Sequence, residues 1–283
     1  MLDEAARIDL EFDARFVFSE AWMFEQLEQR LLLSTLKSGV LRIVGTNRSE
    51  TINVSQRKSY VFVQMNGKSE RFKLRSVKKI SINALKGNDD IEAVGKLPGM
   101  NISGGAGNDT IVAADGADTI HGDAGKDLIY GMGGNDQIFG DTSNDAIAGG
   151  DGNDLIWGGI GNDSMTGEGG NDVVHGDDGD DWISAGNECP WGTEHQIHYC
   201  NPIPDGSDDD MLFGDAGNDH LFASKGLDTV SGGAGDDFFI IENIPPELAA
   251  VVDGGDGKDT IGKIGSGTQV SNVEIFTQEG PKA

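Results

Sequence analysis

At 283 residues the chain can hold one or two domains. It carries 43 Gly, and 48 Asp and Glu against 21 Lys and Arg, for a net charge of -27. Such a surface excludes a general affinity for nucleic acid or anionic membrane and attracts cations. No run of eighteen apolar residues occurs, so no membrane span is expected.

Residues 1–38 form a first segment. Ser19 to Leu33 spaces Met23, Phe24, Leu27 and Leu31 as an amphipathic helix would. The words from Phe24 to Ser34, FEQLEQRLLLS, also resemble the LExRxLLS-type stretch near the start of exported surface proteins of budding aquatic bacteria. That resemblance implies an export or sorting element, with Met23 as the true start.

Residues 39–83 predict a mixed β cap. Val40–Val44, Tyr60–Met65 and Arg71–Arg75 read as strands, and Asn66-Gly67 is a hairpin turn signal. Within them, Gly45, Glu50 and Ile52 stand like positions one, six and eight of a decayed nonapeptide. A solenoid needs such a cap against end-to-end stacking.

Residues 84–262 carry the repeat. ALKGNDDIE (84–92) keeps Gly87, Asp89 and Ile91; two residues are extra; 95–103 is in phase, with Met100 where an acid belongs. Nine nonapeptides then run from Gly104 to Ser184 without insertion. Position six is Asp109, Asp118, Asp127, Asp136, Asp145, Asp154, Asp163, Asp172 and Asp181. Position eight is always apolar, from Ile111 to Ile183. An insert at 185–204 holds Cys189 and Cys200 with His195 and His198 between them. These four could form a disulfide beside free histidines, a Cys/His metal site or two free thiols. Four more units supply Asp210, Asp219, Asp228 and Asp237, and a last one supplies Asp259. Residues 263–283 predict a closing cap of one or two strands.

The spacing dictates a chemistry. Each unit divides into a six-residue turn and a three-residue strand, with position eight inward and seven and nine outward. Glycines at positions one and four permit close backbone approach and φ > 0. They are Gly104 and Gly107, Gly122 and Gly125, Gly131 and Gly134, Gly149 and Gly152, Gly158 and Gly161, Gly167 and Gly170, and Gly176 and Gly179. Turned carbonyls and the Asp carboxylate are hard oxygen donors, which suit Ca²⁺. Nine is odd, so two units make one coil of eighteen residues and equivalent turns recur at i+18. Carboxylates stacked roughly 4.8 Å apart repel by about 0.9 kcal/mol even in bulk water. Cations between them would fill roughly seven sites in the nine-unit run, and metal binding and folding would be one event.

These units resemble the RTX, or hemolysin-type, calcium-binding repeat, GGxGxDxUx. The resemblance implies an all-β, right-handed parallel β-roll of two sheets that binds several Ca²⁺ through position-six Asp and the Gly-rich turns. It also implies export into calcium-rich surroundings, hence an extracellular or cell-surface bacterial protein. Ser143, Met100 and Ala113-Ala114 depart from the motif and mark weaker or missing sites.

No HExxH or GxSxG word occurs, so no enzyme is expected. His121, Phe139, Trp157 and His175 fall at outward position nine of one sheet. They are cross-strand packing or a contact surface for a surface protein or glycan partner. The function expected is a structural or adhesive calcium module. The alternatives are a secretion and folding module serving an enzyme, and a carbohydrate-binding surface protein.

Overall fold

The computed structural model describes residues 34–186, 209–223, 226–241, 251–263 and 268–275. The amphipathic stretch at 19–33, and Cys189 and Cys200, lie outside the described residues.

The chain is all-β and builds two sheets, of 12 and 13 strands. From Lys79 onward, consecutive strands alternate between the sheets, and each pairs in parallel with the strand one coil away. Ile120 lies against Ile138, and Ile138 against Ile156, in one sheet. Ile111 lies against Ile129, and Ile129 against Ile147, in the other. These partners are eighteen residues apart, the coil length expected from two nonapeptides.

Position eight fills the space between the sheets. One column runs Ile91, Ile111, Ile129, Ile147, Met165, Ile183, Leu221, Phe239 and Ile261; the other includes Ile102, Ile120, Ile138, Ile156, Val174, Leu212, Val230 and Val252. All are buried. The strands are mostly six residues long rather than the three expected, running from position seven into the next unit, and alternation at a period of two turns position eight and the following position-one glycine inward. Strands buried on one face only, with Gly between, leave no room for a thicker core.

The start of the roll is more elaborate. β1 (Ser34–Lys37) pairs antiparallel with β2 (Val40–Val44). β3 (Thr51–Arg57), β4 (Tyr60–Met65) and β5 (Lys68–Lys73) form an antiparallel meander through turns at Lys58-Ser59 and Asn66-Gly67. Yet β2 also pairs in parallel with β6 (Lys79–Asn83), and β3 with β7 (Asp90–Val94). Residues 40–57 therefore make a coil of the roll, onto which β4 and β5 are added. The strand expected over Arg71–Arg75 ends at Lys73, and Leu74–Ser76 turns as a 3-10 helix. That turn carries the chain back under the meander to β6.

Irregular spacings are absorbed outside the ladders. Val173 pairs with Met211, 38 residues on, which is one coil plus a twenty-residue insert. Thr229 pairs with Val251, one coil plus four residues. One continuous roll thus passes the 185–204 insert.

Candidate metal centre

The turns at the two edges carry the chemistry, and the Asp of position six defines them. The column carboxylates are almost wholly buried; Asp154 is 0% exposed and Asp136 1%. Each uses Oδ1 to accept the backbone N–H of the equivalent residue one coil earlier. Asp127 accepts from Asp109 at 2.7 Å, Asp145 from Asp127 at 2.8 Å, Asp163 from Asp145 at 2.7 Å, and Asp181 from Asp163 at 2.8 Å. On the opposite edge Asp136 accepts from Asp118, Asp154 from Asp136, and Asp172 from Asp154, all at 2.8 Å.

Both columns cross the insert. Asp210 accepts from Asp172 at 2.8 Å and Asp219 from Asp181 at 2.7 Å. The columns then continue through Asp228, Asp237 and Asp259. Upstream, Asp109 accepts from Asp89, and Asp89 from Glu50, so the decayed unit at 45–52 stands in the column. Glu50 turns its own carboxylate to Thr46. Met100 occupies an acid's place, giving its N–H to Asp118 and supplying no oxygen, as its sequence position implied.

The second oxygen is the informative one. Oδ2 of Asp89, Asp109, Asp118, Asp127, Asp136, Asp145, Asp154, Asp163, Asp181, Asp219, Asp237 and Asp259 is buried and has no hydrogen-bond partner. A buried, unpaired anionic oxygen is costly, and a column of them is untenable without a counter-charge. Burial, chiefly, pushes four of them far up: Asp136, Asp145 and Asp181 to about 8, and Asp127 to about 7. The charges bearing on them are further carboxylates, which raise them again.

Glycine makes room for that oxygen. A Cβ on Gly122 would lie 2.6 Å from Asp127 Oδ2 and 2.8 Å from the Gly140 carbonyl oxygen. The same holds at Gly104, Gly149, Gly158 and Gly176 against Asp109, Asp154, Asp163 and Asp181. Position one is therefore bare so that a carboxylate oxygen and turn carbonyls can converge. At position four the need is different: Gly152 has φ +148°, and a Cβ there would meet the Gly134 carbonyl oxygen of the preceding coil at 1.7 Å. We expect Gly152→Ala to cost about 3 kcal/mol, since strain and a backbone clash combine. Gly67→Ala, in a turn with open space around it, should cost only about 1 kcal/mol. Thermal unfolding in saturating calcium measures both.

Ser143, expected to weaken its site, holds the left-handed backbone of the glycine it replaces, at φ +86°. Asp145 in that turn keeps its buried, unpaired Oδ2. Ala113 and Ala114 are buried in the turn they open, and Ala113 stands where the other eight units of the run have glycine.

Position five was missed in the sequence reading. Its Asn side chains form a second ladder in the opposite sense, each accepting the N–H of the later coil. Asn108 takes Lys126 N–H at 3.0 Å, Asn153 takes Asn171 at 3.1 Å, and Asn171 takes Asp209 at 3.2 Å. The signal was available, since Asn stands before Asp in most units. Glu168, at position two, was also passed over; burial and then Asp151 and Asp154 raise it to about 7.

On the outer face His121, Phe139, Trp157, His175 and Phe213 stack with centroids 4.5, 4.7, 6.2 and 4.5 Å apart and planes within 8° of parallel. The ring faces cover one another and leave edges to solvent, so the ladder packs coil on coil. His121 Nδ1 and His175 Nδ1 each sit 2.9 Å from an Asp Oδ2, of Asp141 and Asp215. Asp123 joins the first pair, with ligand atoms within 4.8 Å of one another.

A carboxylate oxygen without a partner, turn carbonyls beside it and a cradle that a Cβ would fill together fit a hard divalent cation. The position-six Asp residues and the carbonyls of the position-one and position-four glycines would hold it. The family model for the RTX calcium-binding nonapeptide repeat matches residues 103–138, 130–165, 139–174, 157–187 and 205–239. Residues 103–187 and 205–239 are thus RTX calcium-binding repeats, and calcium is the cation they bind. No curated protein matches the chain.

Proposed function

We propose that this RTX calcium-binding repeat chain is an extracellular or cell-surface module that folds when it meets calcium outside the cell. Its role is structural or adhesive, and it is not an enzyme. The observation that carries the reading is the pair of columns of buried carboxylate oxygens without partners. Such a structure is self-repelling without cations and stable with them, so it acts as a calcium-dependent stiffener. RTX repeats are typical of exported proteins, which supports the location. The absence of HExxH and GxSxG words supports the non-enzymatic role.

Limited proteolysis tests the coupling of folding to location. In calcium on the order of 10⁻³ M, the range of extracellular modules, the repeats should resist trypsin and thermolysin. In calcium-free buffer at pH 7.5 they should be cut at least about a hundredfold faster, as cleavage tracks the open population. Equal resistance in both buffers would remove the reason to fold outside. Surface labelling of intact cells tests the location itself.

A further inference from the structure

The net charge of -27 conceals a segregation. Residues 34–86 hold twelve Lys and Arg and two Glu, while the rest of the chain holds nine bases and 46 acids. Both glutamates are engaged: Glu70 accepts the Ser34 hydroxyl and Glu50 is tied to Thr46. The first coil and its meander are thus a basic end on an acidic roll.

Five of the cations gather at one face: Arg57, Arg71 and Lys73 on the outer face of β3 and β5, with Lys58 and Arg75 beside it. Strand register sets Arg57, Tyr60 and Lys73 in one row, and Ser55, Phe62 and Arg71 in the next. The Arg71 guanidinium lies 5.2 Å from the Tyr60 ring centroid and that of Arg57 lies 5.8 Å from Phe62. A guanidinium laid over a ring is held in place while its N–H groups stay available to an anion. Beside this face opens a cleft of about 530 Å³ lined by Lys58, Ser59, Tyr60, Lys73, Leu74 and Arg75. Lys58, Lys73 and Arg75 are exposed.

We propose that this basic face and cleft bind an acidic polysaccharide, with Lys58, Lys73 and Arg75 holding its sulfate or carboxylate groups and Ser59 and Tyr60 meeting its hydroxyls. Charge complementarity carries the choice of an anionic partner. Two features select the glycan. The Tyr60 and Phe62 rings already carry guanidinium groups, so they offer less stacking surface to unpaired bases. Duplex DNA bears a charge every ~1.7 Å and would be repelled by the acidic roll wherever it ran past the basic end. A polysaccharide with one or two charges per sugar meets far less repulsion, and the cleft is of a size that takes one or two sugar rings. This partner deepens the adhesive reading and rests on it.

The test uses the full chain in millimolar calcium, with circular dichroism confirming the fold of every sample, so that a failure to fold is separated from a failure to bind. A sulfated heparin hexasaccharide is titrated by calorimetry, beside a neutral dextran oligosaccharide, a 12-base-pair duplex and phosphatidylglycerol vesicles. The hexasaccharide should bind and the three others should bind at least about tenfold more weakly. The triple variant Lys58→Glu, Lys73→Glu, Arg75→Glu should weaken hexasaccharide binding by at least about tenfold with calcium-dependent folding intact. Lys58→Arg with Lys73→Arg should retain it. Undiminished binding by the charge-reversed variant overturns the site; a preference for duplex, vesicles or neutral dextran overturns the partner.

Discussion

Freed of metal at pH 7.5, the roll should gain β structure when acidified. In the folded chain Asp136, Asp145 and Asp181 sit at about 8 and Asp154 and Asp163 at about 6, against 3.8 for a free Asp, chiefly because they are buried. The folded, metal-free state therefore binds more protons than the unfolded one between those values. Its stability rises as pH falls from about 8 toward 4, the reverse of ordinary acid denaturation. Neutralising Asp136, Asp145 and Asp181 also removes the repulsion between neighbouring coils. With calcium the sign inverts. The ion needs the ionised carboxylate, so protons compete, and the calcium midpoint should climb about tenfold per pH unit for each proton displaced per ion. Far-UV circular dichroism in metal-free buffers from pH 8 to 4, and calcium titrations at pH 7.5 and 6, read both limbs. Structure that decays on acidification without metal would show that the columns are not held apart by charge.

The inverted pH response follows from a feature only partly visible in the residues. The nonapeptide period gave the two sheets, the eighteen-residue coil and the inward Ile column, because one apolar residue in nine can satisfy a parallel ladder in only a few ways. It also gave the continuity of Asp172 with Asp210 and Asp181 with Asp219, since phase resumes after the insert. It did not give the division of labour within each carboxylate. In Asp145, Oδ1 closes the coil before it and Oδ2 alone is left for metal, which depends on turn geometry that glycine positions allow but do not specify. The Asn ladder at position five escaped for the same reason. The start of the roll was harder still: β3 (Thr51–Arg57) has lost the Gly-rich turns, and only its pairing with β7 reveals it as a coil. The basic end was legible in the letters, yet a summed net charge averages a basic cap and an acidic roll into one number.

That division of labour makes one substitution behave in opposite ways with and without calcium. Asp145→Asn keeps an Oδ1 to accept the Asp127 N–H, now at 2.8 Å, and replaces the unpaired anionic oxygen by a neutral amide. Without calcium at pH 7.5, the variant escapes the cost of either burying a charge or taking up a proton at this position, a cost that Asp127, Asp163 and Asp141 all raise. Its metal-free form should be more ordered than the parent's. In calcium it should be less stable, with about one or two fewer ions bound per chain and a higher midpoint, because a hard cation loses its anionic ligand. Asp145→Ala separates the two oxygens. It discards the charge as well, but it leaves the buried Asp127 N–H unpaired, a further cost of about 1–3 kcal/mol in either buffer. The expected order of stability is Asn, parent and Ala reordered by metal: Asn leads in its absence, and the parent leads in its presence, with Ala below Asn throughout. Denaturant unfolding of the three proteins, with ion counts from equilibrium dialysis, measures this. An Asn variant weaker than the parent in both buffers would mean that Oδ2 holds the coil by an interaction other than with metal.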